Sequence, residues 1–199
     1  MLKELDYAEA ALFLNLSTAV IKAVEEVESS GNGFLKDGNI KILYEPYVFG
    51  RLTQNKFDKE TVTINGEVYP LSLQGKWDKS KSKYGSEEIQ HIKRQAASKL
   101  NAEAANKACS WGKFQILGTN YVDCGCATVF DMVQKMLDER MQLKLFCNFI
   151  KNRNLVSLLR KKDWTVFAKA YNGSMYYVNK YDERLAKAYA KYAGMSSQL

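Results

Sequence analysis

Ala23-Val24-Glu25-Glu26-Val27-Glu28-Ser29-Ser30-Gly31-Asn32-Gly33-Phe34 carries three glutamates at the end of one helical stretch. At ~100° per residue, Val20, Ile21, Val24 and Val27 fall within a ~120° arc, and Glu28 lies inside it. Glu26 falls almost opposite and Glu25 just beyond the border. The phase therefore predicts that only Glu28 faces inward. A carboxyl at the last turn of an apolar stripe is partly desolvated, and a helix C-terminus adds negative potential, so its pKa is expected to rise. A general acid working near neutrality needs that property.

Working outward from this stretch, helical signals dominate. Asp6 and Ser17 are N-cap candidates for helices over 6–15 and 17–28, the second closed by Ser29-Ser30-Gly31. Gly33 to Tyr44 reads as a short hairpin with Asp37-Gly38 as its turn, and Pro46 suits the first turn of a helix running to about Gln54. Residues 55–85 are the least regular, with a small hairpin at 61–69 around Asn65-Gly66. Further helices are expected at 86–99, 101–109, 127–137, 138–151, 154–161, 163–171 and 181–192, with a glycine bend at Ser110 to Ile116. The fold class is mainly α with a small β-hairpin lobe, an α+β arrangement. Without an internal repeat or linker, residues 1–199 read as one domain with no separate wall-binding module.

Composition narrows the function classes. At 199 residues and 46% hydrophobic, the chain can bury one sizeable core. No apolar run approaches the ~20 residues of a membrane span, and Met1 to Asp6 runs into helix-like sequence without a signal-peptide core. Cys109, Cys124, Cys126 and Cys147 sit in a chain that needs no disulfide framework, so buried free thiols are expected. Cys124-Gly125-Cys126 lacks the paired spacing of a zinc site, and the lone histidine, His91, argues against a nucleophilic triad. No zinc site is expected from this spacing. The net charge of +7 implies attraction to a polyanion such as an anionic cell envelope. Lys36, Lys41, Lys56, Lys76, Lys79, Lys81, Lys83, Arg160, Lys161 and Lys162 are scattered, without a nucleic-acid-binding motif.

Two later segments carry polar groups among apolar ones. Gln115 stands between Phe114 and Ile116, either satisfying buried backbone groups or reaching into a pocket. Asp163 caps a helix whose inward stripe is Trp164, Phe167, Ala168 and Tyr171, with Asn172 emerging at its end and Gly173 as its left-handed stop. Trp111 and Trp164 are placed in the core by their phase.

Together, Glu28-Ser29, Gly112 to Gln115 and Ala170-Tyr171-Asn172 resemble, in order and spacing, the Glu-Ser, Gly-Leu-Met-Gln and Ala-Tyr-Asn motifs of lysozyme-like lytic transglycosylases. The chain is more similar still to the N-acetylmuramidase family of phage endolysins, through Val27 to Phe34, Lys41 to Glu45, Ser110 to Ile116, Asp163 to Ala168 and Tyr171 to Gly173. Pro46-Tyr47 departs from that family, where a basic residue and a histidine are common at these positions.

The resemblance implies a lysozyme-like fold and a peptidoglycan hydrolase. Its substrate is glycan strands, cleaved at the β-1,4 bond between N-acetylmuramic acid and N-acetylglucosamine. Glu28 matches the catalytic acid, and Gln115, Tyr171 and Asn172 match cleft positions, with Ser110 and Tyr84 as further substrate-binding candidates. Glycoside hydrolysis commonly uses a second carboxylate. Glu45 is the first candidate, Asp37 the second, and a purely structural Glu45 stays open. The rival readings are a lytic transglycosylase giving anhydro products and an inactive basic protein that binds cell wall or nucleic acid. The resemblance also implies a monomer made in the host cytoplasm, released through a holin-type pore and needing no metal, cofactor or nucleic acid.

Overall fold

The computed structural model describes residues 2–29, 32–75, 78–173 and 176–196. Ser30 and Gly31, expected to close the second helix, and the basic residue Lys76 lie outside the described residues. The chain opens with helix α1 (Glu4–Leu14), two residues earlier than the Asp6 cap predicted. Lys3 is the N-cap, and Asp6 sits three residues inside, where its carboxyl accepts the Lys3 N–H at 2.7 Å. Burial explains the shift: Asp6 is also gripped by Arg140 at 2.6 Å, a contact the chain ends cannot foretell. Helix α2 (Thr18–Ser29) begins at the predicted Ser17, whose Oγ accepts the Val20 N–H at 3.4 Å. Its stripe of Val20, Ile21, Val24 and Val27 is buried.

The expected hairpin after α2 forms, with the Leu35 N–H donating to the Asn39 carbonyl at 2.8 Å and the Lys41 N–H to the Gly33 carbonyl at 2.9 Å. Phe34 and Ile40 bridge across the turn, and Gly38 takes φ +85°, a left-handed conformation open to glycine. Strand β1 (Ile42–Tyr44) then leaves the first arm to pair elsewhere. After α3 (Pro46–Leu52) comes the predicted small hairpin, β2 (Thr61–Ile64) with β3 (Glu67–Pro70). Ile64 pairs with Glu67 across Asn65-Gly66, both with positive φ, as a type I′ turn requires. A short helix α4 (Lys79–Ser82), capped by Asp78, precedes α5 (Glu87–Leu100) and α6 (Ala102–Lys107).

Residues 110–116 contain the expected glycine bend, Gly112 at φ +66°, and add two short strands that the sequence reading missed. They form β4 (Cys109–Trp111), a turn and β5 (Ile116–Leu117). The three-stranded sheet has the order β1-β4-β5, all antiparallel, with Ile42 opposite Trp111 and Ser110 opposite Leu117. β1 and β4 are brought together from far apart in the chain, whereas β5 folds back on β4 through the turn at 112–115. The remainder is helical: α7 (Val129–Lys135), α8 (Glu139–Asn152), α9 (Val156–Lys161), α10 (Trp164–Asn172) and α11 (Tyr181–Ser196).

Helix α11 packs against α2 and α10, while α8 runs along α1. Phe114 stacks on Phe146 at 4.3 Å between ring centroids, and Tyr171 meets Phe146, Phe149 and Phe167, so the sheet turn, α8 and α10 share one aromatic core. Trp111 is in the core as expected, its Nε1–H donating to the Asn106 carbonyl at 2.9 Å. Trp164 is partly buried against Tyr189. The four cysteines are buried free thiols, and burial pushes Cys124 and Cys147 up to about 12. Among the described residues, no helix is long and apolar enough to cross a membrane, and no cluster of His, Cys, Asp and Glu could hold a metal ion.

Candidate active site

A cleft of about 430 Å³ opens between the helical body and the three-stranded sheet. Glu28 reaches it from the last turn of α2, Ser110 and Gln115 from the sheet and its turn, and Tyr171 and Asn172 from the end of α10. These five residues, drawn from three separated segments, are brought together. Asn172 Nδ2–H donates to Glu28 Oε1 at 3.0 Å. Burial pushes the Glu28 carboxyl up from 4.5 to about 7; the Asn172 hydrogen bond and the Arg184 guanidinium pull the other way and are outweighed. A neutral amide donor stabilises the charged form too little to offset desolvation.

The side chains around Glu28 are themselves fixed. The Tyr171 hydroxyl donates to the Phe114 carbonyl at 2.9 Å, tying α10 to the turn between β4 and β5. Gln115, at φ +45°, folds back so that Nε2–H donates to the Gly112 carbonyl at 2.8 Å. Its amide thus satisfies backbone and lines the cleft, joining the two roles that local sequence had set as alternatives. The buried Gln142 amide lies against Gly33 and Gly112: a Cβ on either would come within 2.4 or 2.6 Å of its Oε1. Both motif glycines therefore make room for one α8 side chain.

The other two glutamates of α2 differ sharply. Glu26 is exposed and accepts from Lys191 at 2.6 Å and Tyr192 at 2.7 Å, which hold it below the usual carboxylate range. Glu25 corrects the prediction that Glu28 alone faces inward. Its side chain is only 13% exposed and pairs with the Lys113 ammonium at 2.7 Å. Helical phase placed it at the border of the arc, and a cation supplied by the sheet turn draws it in.

Three predicted candidates, Glu45, Tyr84 and Asp37, are not among the residues lining the cleft. Glu45 is the N-cap residue of α3, and its carboxylate accepts the Tyr84 hydroxyl at 2.7 Å; neither residue lines the cleft. Burial raises Glu45, opposed by Tyr84 and by Lys93. Lys93 is fully buried under the rings of Tyr44, Tyr69 and Tyr84, its ammonium donating to the carbonyls of Ser82 and Lys83. Desolvation lowers it to about 8. This cluster ties α5 to the β2–β3 lobe. Asp37 is an exposed turn residue that accepts from the Asn39 backbone and side chain at 2.9 and 2.8 Å.

The sequence reading missed one wall of the cleft. Ser86, Glu87 and Gln90 line it from the start of α5, and Tyr181 from the start of α11. Glu87 pairs across the cleft wall with Lys41 at 3.1 Å. The helix starts were legible, but nothing local indicates that they meet Glu28. A second cavity of about 470 Å³ lies between α1 and α8 beside Ala10, Phe13 and Leu143, far from this constellation. Its Asp6 carboxylate is already held by Arg140.

A buried carboxyl in an open cleft between a helical body and a small sheet, with amides around it, suits the general acid of a lysozyme-type glycoside hydrolase. The N-acetylmuramidase family model matches residues 17–193, and the chain belongs to that family. The crystal structure of the Burkholderia AP3 phage endolysin is similar, with a TM-score of 0.84 and 33% identity over 98% of this chain and 72% of that one. No curated protein sequence matches the chain. The enzyme is accordingly a peptidoglycan hydrolase of the N-acetylmuramidase type.

Proposed function

We propose that Glu28 is the general acid that protonates the glycosidic oxygen between N-acetylmuramic acid and N-acetylglucosamine. The observation that carries this reading is its carboxyl opening on the cleft with a pKa near 7 and a neutral amide, Asn172, as its hydrogen-bond partner. An acid so poised is substantially protonated at neutral pH and still acidic enough to give its proton up. Ser110, Gln115, Tyr171 and Asn172 hold the sugar rings, with Gln115 and Asn172 offering amides to the acetamido groups.

Glu45 and Tyr84, in this reading, support the β-hairpin lobe and act on neither water nor substrate, because their polar ends face each other outside the cleft. Among the described residues, Glu87 is the one carboxylate that lines the cleft with Glu28, and Lys41 engages it. This favours assistance by the substrate. As Glu28 gives its proton to the leaving oxygen, the acetamido oxygen of N-acetylmuramic acid attacks the anomeric carbon and the glycosidic bond breaks. Glu28, now a carboxylate, then takes a proton from water, whose oxygen opens the cyclic intermediate and leaves a reducing end of retained configuration.

The physiological role that fits is phage-driven lysis of the host wall, as the name of the AP3 neighbour indicates for that protein. Access to the wall after synthesis in the host calls for holin-type release. A monomer completes this reading, and the +7 charge suits an anionic envelope without requiring nucleic acid. Residues 1–199 act as one catalytic domain in this reading, supported by the family match over 17–193. Mass spectrometry of digested muropeptides tests the chemistry: hydrolysis gives reducing ends ~18 Da heavier than the anhydro products of a transglycosylase. Anhydro products would overturn the water-attack step.

A further inference from the structure

Lys113 stands in the turn between β4 and β5 with its side chain 5% exposed and both of its ends held. Its backbone N–H donates to Gln142 Oε1 at 2.6 Å, and its ammonium lies 2.7 Å from Glu139 Oε1. Glu139 and Gln142 are one turn apart on α8, so a single helix face grips the residue twice. The same ammonium lies 2.7 Å from Glu25 Oε1, and the Tyr7 hydroxyl of α1 donates to Glu25 Oε2. Glu25 is one turn before Glu28 on α2, and Lys113 is two residues before Gln115.

We propose that Lys113 is a positioning residue that locks the helix bearing Glu28 and the turn bearing Gln115 to one frame, α8. The valine stripe of α2 does not do this alone, because smooth apolar contacts tolerate small rotations and slides of a helix. A buried ion pair has defined donor and acceptor directions and loses its partner when either element turns. It contributes little to stability compared with an apolar side chain of like volume, and its best-attested use is to set registry. Here the registry is that of Glu28 against Gln115, with Gln142 holding the backbone and Glu139 the side chain. The inference rests on Glu28 being the acid.

The test compares Glu25→Gln, Lys113→Met, Lys113→Arg and Glu28→Gln by thermal melting and by kcat, KM and pH–rate profile on solubilised glycan strands, well below the melting temperature. In Glu25→Gln, Lys113 keeps its Glu139 bridge, so this variant carries the test if Lys113→Met does not fold. Expected is a fall in kcat of roughly tenfold to a hundredfold in Glu25→Gln with KM within about twofold, as a small misplacement of catalytic groups gives. Lys113→Arg, which keeps the charge, recovers part of the loss. A wild-type kcat and pH profile in Glu25→Gln, with only a lower melting temperature, overturns the positioning role while Glu28→Gln stays inactive. Retained activity in Glu28→Gln instead overturns the acid itself, and with it this inference.

Discussion

Glu25 and Glu28 lie one turn apart on the same helix and meet opposite partners: Glu25 an ammonium at 2.7 Å, Glu28 a neutral amide at 3.0 Å. Burial pushes Glu28 up to about 7, because a neutral amide does too little for the charged form to offset desolvation. Glu25 is instead tied by its ion pair to the turn between β4 and β5.

Glu28→Gln is isosteric and keeps an oxygen for Asn172 but has no proton to give. Activity against purified peptidoglycan should fall by about 10²–10⁴-fold, the usual worth of general acid catalysis. Turbidity loss of a sacculus suspension measures it, and near-normal lysis by the variant would remove Glu28 from the mechanism.

The working form of Glu28 is protonated, so kcat should decline as pH rises through about 7. Asn172 stabilises the carboxylate, and Asn172→Ala removes that help. The alkaline limb of the pH–rate profile should therefore move to higher pH, while the rate at the optimum drops as the rotamer of Glu28 loosens. A limb that moves to lower pH would contradict the hydrogen bond's assigned effect.

Stability has its own pH signature at Glu28. A carboxyl with a folded pKa of about 7 and an ordinary value of 4.5 holds its proton more tightly when folded. Its contribution is fully present below pH 4.5 and is lost as pH rises through 7. Glu28→Gln escapes that loss. Wild type and variant should melt alike near pH 4, and at pH 8 the variant should be more stable by about 1–2 kcal/mol, or roughly 2–8 °C, after screening by cleft water. Calorimetry at the two pH values checks it.

Glu45→Gln separates support from catalysis. The substitution leaves the buried Lys93 ammonium without the carboxylate that opposes its desolvation. Stability should fall by about 1–3 kcal/mol, with kcat within roughly tenfold of wild type. A loss of kcat equal to that of Glu28→Gln, at unchanged stability, would restore Glu45 as a catalytic group.

Two glycines give a matched pair. Gly112 has φ +66° and a Cβ there would sit 2.6 Å from Gln142 Oε1, whereas Gly38 has φ +85° with open space around it. Gly112→Ala should cost more than about 2 kcal/mol and most activity, because strain adds to the clash beside Gln115. Gly38→Ala should cost about 1 kcal/mol and leave activity intact. Denaturant midpoints and lysis rates together distinguish the two.

Helix positions were legible wherever an apolar stripe and a cap coincide, as at Ser17 for α2 and Asp163 for α10. Asn65-Gly66 sufficed for the small hairpin because its turn chemistry is local. The strands at 109–111 and 116–117 were not legible, since each is only two or three residues long and 109–111 owes its place to pairing with Ile42–Tyr44 far upstream, with 116–117 folded back on it. Asp6 was misassigned as a cap for a like reason: its Arg140 partner comes from α8.

The candidate site divides in the same way. Periodicity alone determined that Glu28 shares the buried stripe of α2, because side-chain phase is a property of the helix itself. Tertiary structure alone decided the rest: that Lys113 reaches Glu25, that Asn172 reaches Glu28, that Glu87 lines the cleft and that Glu45 turns toward Tyr84. A pKa and a catalytic role depend on what stands within a few ångströms, and those neighbours come from segments far apart in the chain.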